Sequence, residues 1–116
     1  INSITPGPGA GAYPSTKAGI KQLTRQLAIE LSGKNIRVNS VAPGFIDAGM
    51  SAPIYEDETV RKARSGAVPL KRLGTGKDIA EAIMFLDSEQ GSYVNGHEFV
   101  VDGGVVHSLL NQLPRD

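Results

Sequence analysis

A tyrosine and a lysine four residues apart, Tyr13 and Lys17, are the side chains of this sequence best suited to moving a proton. On a helix, that spacing puts both side chains on one face, a turn apart. The ammonium group of a lysine favours the phenolate form of a neighbouring tyrosine. The pair therefore predicts proton exchange with a hydroxyl or carbonyl group of a bound molecule near neutral pH. Taken by itself, the pair also fits an ordinary solvated helix face.

Ser3 is the second polar group with a predicted role. Residues 1–5 are expected to form the end of a buried strand, and a loop rich in proline and glycine, residues 6–11, leads from it to Tyr13. Open α/β sheets bind their ligands beyond the carboxyl ends of the strands. We therefore expect the Ser3 hydroxyl to donate a hydrogen bond to the substrate oxygen that Tyr13 protonates, although a lone serine here is also typical of a turn.

Helical and strand-like segments alternate along the rest of the chain. The most regular is residues 12–32, where Ile20, Leu23, Leu27 and Leu31 form an apolar stripe. Strands joined by helical crossovers are parallel, so this order predicts an α/β fold that forms part of a doubly wound sheet. The other predicted elements are strands over residues 36–42 and 98–101 and helices over residues 56–65 and 78–86.

Composition excludes several classes of function. Twelve basic and twelve acidic side chains cancel, which predicts no binding to nucleic acid or to an anionic membrane. The chain has no cysteine and only two histidines, His97 and His107, so it offers neither thiolate chemistry nor a metal ligand set. No apolar stretch approaches the length needed to cross a bilayer. We expect no nucleic acid or membrane partner, no metal, and a cytoplasmic location.

The order of several short motifs resembles that of the short-chain dehydrogenase/reductase family, over essentially the whole chain. The motifs are YPSTKAG at 13–19, IRVNSVAPG at 36–44, PLKRLG at 69–74, DIA at 78–80, YVNG at 93–96 and VDGG at 101–104. The resemblance favours the branch of 3-oxoacyl-thioester reductases. It implies the C-terminal part of a doubly wound, parallel-sheet Rossmann-type domain.

The resemblance also implies a reaction and a site. The reaction is the interconversion of an alcohol and a carbonyl compound of low molecular weight, with NAD or NADP. Tyr13 is the implied acid/base, Lys17 supports it and holds the nicotinamide ribose, and Ser3 polarises the substrate carbonyl. The implied cofactor-binding residues are Tyr13, Lys17, Pro43, Gly44 and Ile46. Residues 49–68 and 91–97 are expected to border the substrate pocket.

Family members pair the tyrosine helix with its symmetry mate, so the resemblance implies a homo-oligomer, a dimer or a tetramer. Apolar residues that suit such interfaces are Ala18, Ala28 and Ile29 on the helix and Val105, Val106, Leu109 and Leu110 near the end of the chain.

The glycine-rich turn that receives the pyrophosphate belongs to the first βαβ unit of such a domain, and no such unit is present in this sequence. We therefore expect residues 1–116 to be the C-terminal part of one domain, with the dinucleotide-binding half supplied by chain upstream of Ile1 or by another polypeptide. The alternative function is a non-catalytic fragment or scaffold subunit, which keeps the fold without a complete cofactor site.

Overall fold

The structure, a computed structural model, describes residues 1–113 as two strands, three α-helices and four short 3₁₀ helices. Strands and helices alternate, as predicted. The α-helices are α1 (Tyr13–Ser32), α2 (Glu58–Ala67) and α3 (Gly76–Asp87), and the strands are β1 (Ser40–Pro43) and β2 (Glu98–Val101). The 3₁₀ helices are Gly49–Glu56, Glu89–Gly91, Val105–His107 and Leu109–Gln112.

The two strands lie side by side and run parallel. Ser40 pairs with Glu98 and Pro43 pairs with Val101, so the strands begin and end at the same level. Helices α2 and α3 lie between the strands in sequence and form the crossover that a parallel pair requires. The α/β class and the parallel pairing predicted from the sequence are confirmed.

Helix α1 buries a narrower face than its apolar stripe predicts. Its buried residues are Thr24 and Ala28, whereas Ile20 and Leu23 are 48% and 54% exposed. The small methyl group of Ala28 lets the backbone at Gly96 approach so closely that a Cβ there would lie 3.3 Å from it. Close backbone approach therefore decides which face of α1 is buried, and the largest apolar side chains stay partly outside.

The prediction of a strand end over residues 1–5 is wrong. The backbone N–H groups of Ile4 and Thr5 both donate to the carbonyl of Ile1, at 2.9 and 3.0 Å, and close a tight turn. An extended strand needs backbone partners on a neighbouring strand. Within residues 1–113 the sheet consists of β1 and β2 alone, and this segment satisfies its donors locally instead.

The first sheet strand is shorter than predicted because side chains bind its leading segment. Val38 N–H donates to the side-chain oxygen of Asn95, and His97 N–H donates to that of Asn39. The Arg37 guanidinium donates to the carbonyls of Leu86, Gly91 and Val94. These bonds replace the regular strand ladder over residues 36–39.

Helix α3 begins at a complete capping box. The Thr75 hydroxyl accepts from Asp78 N–H, and the Asp78 carboxylate accepts from Thr75 N–H. Arg72 adds two hydrogen bonds of 2.8 and 2.9 Å to the same carboxylate, and these contacts hold the pKa of Asp78 well below its usual range.

Of the helices described in residues 1–113, none is long and apolar enough to span a membrane.

Candidate active site

A cleft of about 660 Å³ opens between the N-terminal turn, α1, the carboxyl end of β1 and the following 3₁₀ helix. We call it the Tyr13 cleft. The residues named from the sequence come from separate stretches of the chain, and the fold brings them together here. All six line this cleft: Ser3, Tyr13, Lys17, Pro43, Gly44 and Ile46.

Tyr13 and Lys17 lie one above the other at the start of α1. Pro14 occupies the first helical turn, where its missing N–H breaks no hydrogen bond. Lys17 Nζ lies 5.1 Å from the centroid of the Tyr13 ring, a cation–π distance. Tyr13 is 50% exposed, so its hydroxyl is open to a molecule entering the cleft.

The helix face that carries this pair is the face that α1 buries further along. Tyr13, Lys17, Thr24 and Ala28 recur at steps of four, seven and four residues, which keeps them on one side of the helix. Packing of Thr24 and Ala28 in the interior therefore fixes the rotation of the helix. That rotation points Tyr13 and Lys17 into the cleft.

Ser3 lies in the cleft, but its hydroxyl is engaged elsewhere. Ser3 Oγ donates to Glu98 Oε2 at 2.8 Å, and Lys21 Nζ forms an ion pair with Glu98 Oε1 at 3.0 Å. The Glu98 side chain is only 9% exposed. Burial raises the pKa of Glu98, but the contacts with Lys21 and Ser3 outweigh burial and leave the pKa below its ordinary value. Glu98 therefore stays ionised and holds the serine.

Pro43, Gly44 and Ile46 form the wall at the carboxyl end of β1. Gly44 N–H donates to Val101 O at 3.0 Å, which continues the sheet pairing past the strand. A Cβ at Gly44 would lie 2.6 Å from Cα of Asp102, so only glycine fits there. Ile46 pairs with Gly74 in an isolated bridge, which holds the loop after the strand in place.

An aromatic–arginine cluster that was not among the sequence predictions also lines the cleft. Tyr55, only 2% exposed, and Arg64 both line the cleft, and the guanidinium lies over the Tyr55 and Phe45 rings. These residues come from the loop after β1, a 3₁₀ helix and α2, so no sequence spacing relates them. Glu98 was also missed, although a lone acid in the apolar strand EFVV was a usable signal.

The two segments expected to border the pocket behave differently. Residues 49–68 contribute Ser51, Tyr55 and Arg64 to the cleft, whereas residues 91–97 contribute none. The latter segment packs on α1 and on Arg37 instead.

A smaller cavity of about 110 Å³ lies beside Val68, Leu70 and Asp102. It lacks Tyr13, Lys17 and Ser3, so the predicted chemistry belongs to the Tyr13 cleft.

Comparison with known proteins agrees with these motifs. Residues 1–106 match the family model described as enoyl-(acyl carrier protein) reductase, a model of short-chain dehydrogenases/reductases. The chain belongs to the short-chain dehydrogenase/reductase family. It is 42% identical over 106 residues to the 3-oxoacyl-(acyl-carrier-protein) reductase FabG of Thermotoga maritima, an alignment that covers 91% of this chain and 42% of that protein.

Solved structures of the family share the fold. The RhlG/NADP active-site complex of Pseudomonas aeruginosa has a TM-score of 0.81 and 35% identity, covering 90% of this chain and 43% of that chain. A 4-hydroxyisoleucine dehydrogenase complexed with NADH has a TM-score of 0.84 and 31% identity, with coverage of 90% and 43%. The chain therefore spans less than half the length of the proteins it matches. The Rossmann-type fold class predicted from the sequence is confirmed.

Proposed function

We propose that this chain carries the proton-transfer part of an NAD(P)-dependent oxidoreductase that interconverts an alcohol and a carbonyl compound of low molecular weight. One observation carries the proposal. The hydroxyl of Tyr13 and the ammonium of Lys17 open into the cleft that also holds Ser3 and the end of β1. Membership of the family supports the same reaction, and the substrates of its members differ widely.

Tyr13 acts as the acid/base in this proposal. In the reducing direction its hydroxyl gives a proton to the carbonyl oxygen of the substrate, and in the oxidising direction its phenolate accepts that proton back. The Lys17 ammonium, 5.1 Å from the ring centroid, stabilises the phenolate that forms in between. A positioned acid/base group contributes a rate factor of about 100 to 10,000.

The residues present fit the nicotinamide end of NAD or NADP. Pro43 and Ile46 offer apolar surface at the end of β1, and Lys17 offers a donor for ribose hydroxyls in the same cleft. When bound, the cofactor supplies or accepts the hydride. Tyr13, Lys17, Pro43, Gly44 and Ile46 are the proposed cofactor-binding residues.

Ser3 is proposed to polarise the substrate carbonyl. Its donor is bonded to Glu98 as the structure stands, so the hydroxyl must turn from the carboxylate to the substrate oxygen. Rotation about a single Cα–Cβ bond is sufficient for such a change. The ion pair with Lys21 still balances the charge of the carboxylate when the serine leaves it.

Turnover by the complete gene product tests the proposal. Tyr13→Phe keeps the ring that packs beside Lys17 and removes only the ionisable hydroxyl. We expect kcat/KM for carbonyl reduction by NADH or NADPH to fall at least 100-fold, while Lys17, Pro43 and Ile46 still bind the cofactor and its dissociation constant rises far less. Tyr93→Phe, a fully exposed tyrosine outside the cleft, is the matched control.

Near-normal turnover by Tyr13→Phe would disprove the acid/base role. Complete absence of turnover in the unaltered protein would favour the non-catalytic scaffold instead. We also propose a two-fold homo-oligomer, a cytoplasmic location, and completion of the domain by a dinucleotide-binding half of the kind that the family's relatives carry.

A further inference from the structure

Arg64 is the charged residue of the Tyr13 cleft that the proposed reaction leaves without a role. It projects from α2 into the same cleft as Tyr13 and Lys17. Its guanidinium carbon lies 5.3 Å from the centroid of the Phe45 ring and 5.6 Å from that of Tyr55. Two aromatic rings therefore hold one arginine in a fixed place at the cleft wall.

No side chain of the described residues neutralises the charge of Arg64. The neighbouring arginine of the same helix, Arg61, pairs with Asp47 at 2.6 Å and with Glu58 at 3.7 Å. Within the described part of the chain, residues 1–113, no carboxylate lies within ion-pair distance of Arg64. Its one side-chain hydrogen bond, 3.4 Å to the Tyr55 hydroxyl, is long.

No other charged side chain of the cleft pairs with Arg64. Glu98 lines the cleft, but it is bound to Lys21 and Ser3. Lys17 adds a second positive charge to the wall. A guanidinium that is partly desolvated, stacked on aromatic rings and without an anion can bind a carboxylate or phosphate through two parallel hydrogen bonds.

From this geometry we infer that the substrate carries an oxyanion group, a carboxylate or a phosphate, and that Arg64 binds it. This inference rests on the proposed function, since it assigns a substrate class to the same cleft. Phe45 and Tyr55 act as positioning residues, because they set the direction of the guanidinium. The reacting carbonyl then lies toward Tyr13, with the charged end of the molecule toward α2.

Two pairs of carbonyl compounds probe the inference in the complete protein. Acetoacetate is compared with its neutral methyl ester, and dihydroxyacetone phosphate is compared with dihydroxyacetone. The measured quantity is the ratio of kcat/KM for the charged member to that for the neutral member. We expect a ratio well above one for at least one pair, and the responding pair distinguishes a carboxylate from a phosphate.

Arg64→Met removes the charge and keeps apolar packing against the rings. The preference ratio should fall about 10- to 100-fold, the worth of a charge-assisted hydrogen bond. Arg64→Lys keeps a charge without the planar fork and should give an intermediate ratio. Lys62→Met is the matched control, because it removes the same charge from the exposed side of the same helix.

Two results would overturn the inference. One is a wild-type protein that prefers neither anionic compound. The other is an unchanged ratio in Arg64→Met, including the case where this variant weakens NADH and NADPH binding instead, which would assign the guanidinium to the cofactor.

Calorimetry separates this inference from the proposed function. Acetoacetate and its ester are titrated into the protein with oxidised cofactor, so that no turnover occurs. Tyr13→Phe should keep the preference for acetoacetate while it loses catalysis. Arg64→Met should lose the preference, whatever role Tyr13 has.

Discussion

The polar side chains of the Tyr13 cleft form two groups with different electrostatic roles. Glu98, Lys21 and Ser3 form a network in which a nearly buried carboxylate pairs with an ammonium and accepts a hydrogen bond from a hydroxyl. Tyr13 and Lys17 are open to the cleft and available to a ligand. The first group supports the structure and holds Ser3, and the second group is suited to chemistry.

Substitution of Glu98 by glutamine tests the supporting network. Glu98→Gln should lower the free energy of unfolding at pH 7 by roughly 1–3 kcal/mol, because the amide cannot replace a carboxylate between Lys21 and Ser3. Glu81→Gln is the control. Its exposed pair with Lys77, at 3.6 Å, should contribute well under 1 kcal/mol.

The pH dependence of this difference follows from the lowered pKa of Glu98. A carboxyl whose folded pKa lies below the unfolded value stabilises the fold above the unfolded pKa, about 4.3 for glutamate. The contribution disappears as the pH falls through the folded value. Denaturation curves between pH 7 and pH 3 should therefore show wild type and Glu98→Gln converging in acid. A constant difference would contradict the assignment.

At the scale of elements, close backbone approach matters more than apolar area. The turn after β1 passes Asp102 so closely that a methyl group at Gly44 would lie 2.6 Å from its Cα and 3.1 Å from its carbonyl oxygen. Backbone atoms cannot turn aside as a flexible side chain can. The position of the cleft wall relative to β2 therefore depends on this glycine.

Gly44→Ala should displace the turn and destabilise the protein by about 1–3 kcal/mol, as overpacking does elsewhere. Gly33→Ala is the control, because Gly33 has helical backbone angles and nothing within 4 Å of an added Cβ. It should be neutral or slightly stabilising. Equal midpoints for the two variants in urea denaturation would show that the backbone at Asp102 moves to accommodate the added methyl group at little cost in stability.

The sequence predicted elements that repeat a local pattern and missed contacts between distant segments. Bounds of α1 and α3 were predicted to within two residues, because the spacing of apolar side chains along a helix is a local signal. The strand at residues 1–5 was wrong, since strand formation depends on neighbours. Arg64 was missed for the same reason: Phe45 and Tyr55 reach it only in three dimensions.

At the scale of the whole molecule, the exposed apolar surface bears on assembly. Ala28 was predicted to belong to an interface between subunits, but it is buried inside the chain at 4% exposure. Ile29, the next residue, is 78% exposed, and Leu109 and Leu110 near the end of the described chain are 73% and 70% exposed. These three residues remain candidates for contact with a second copy.

We predict a homo-oligomer in which α1 meets its symmetry mate across a two-fold axis. Such an interface is isologous, so each substitution occurs twice within it. Ile29→Glu should raise the dissociation constant of the dimer at least about 10-fold, because two carboxylates would be desolvated without partners. Gln90→Glu, the introduction of the same charge at an exposed position outside α1, is the control. Sedimentation equilibrium of the complete protein measures both. A monomeric wild type at micromolar concentration, or equal weakening by the two variants, would show that α1 does not form the contact.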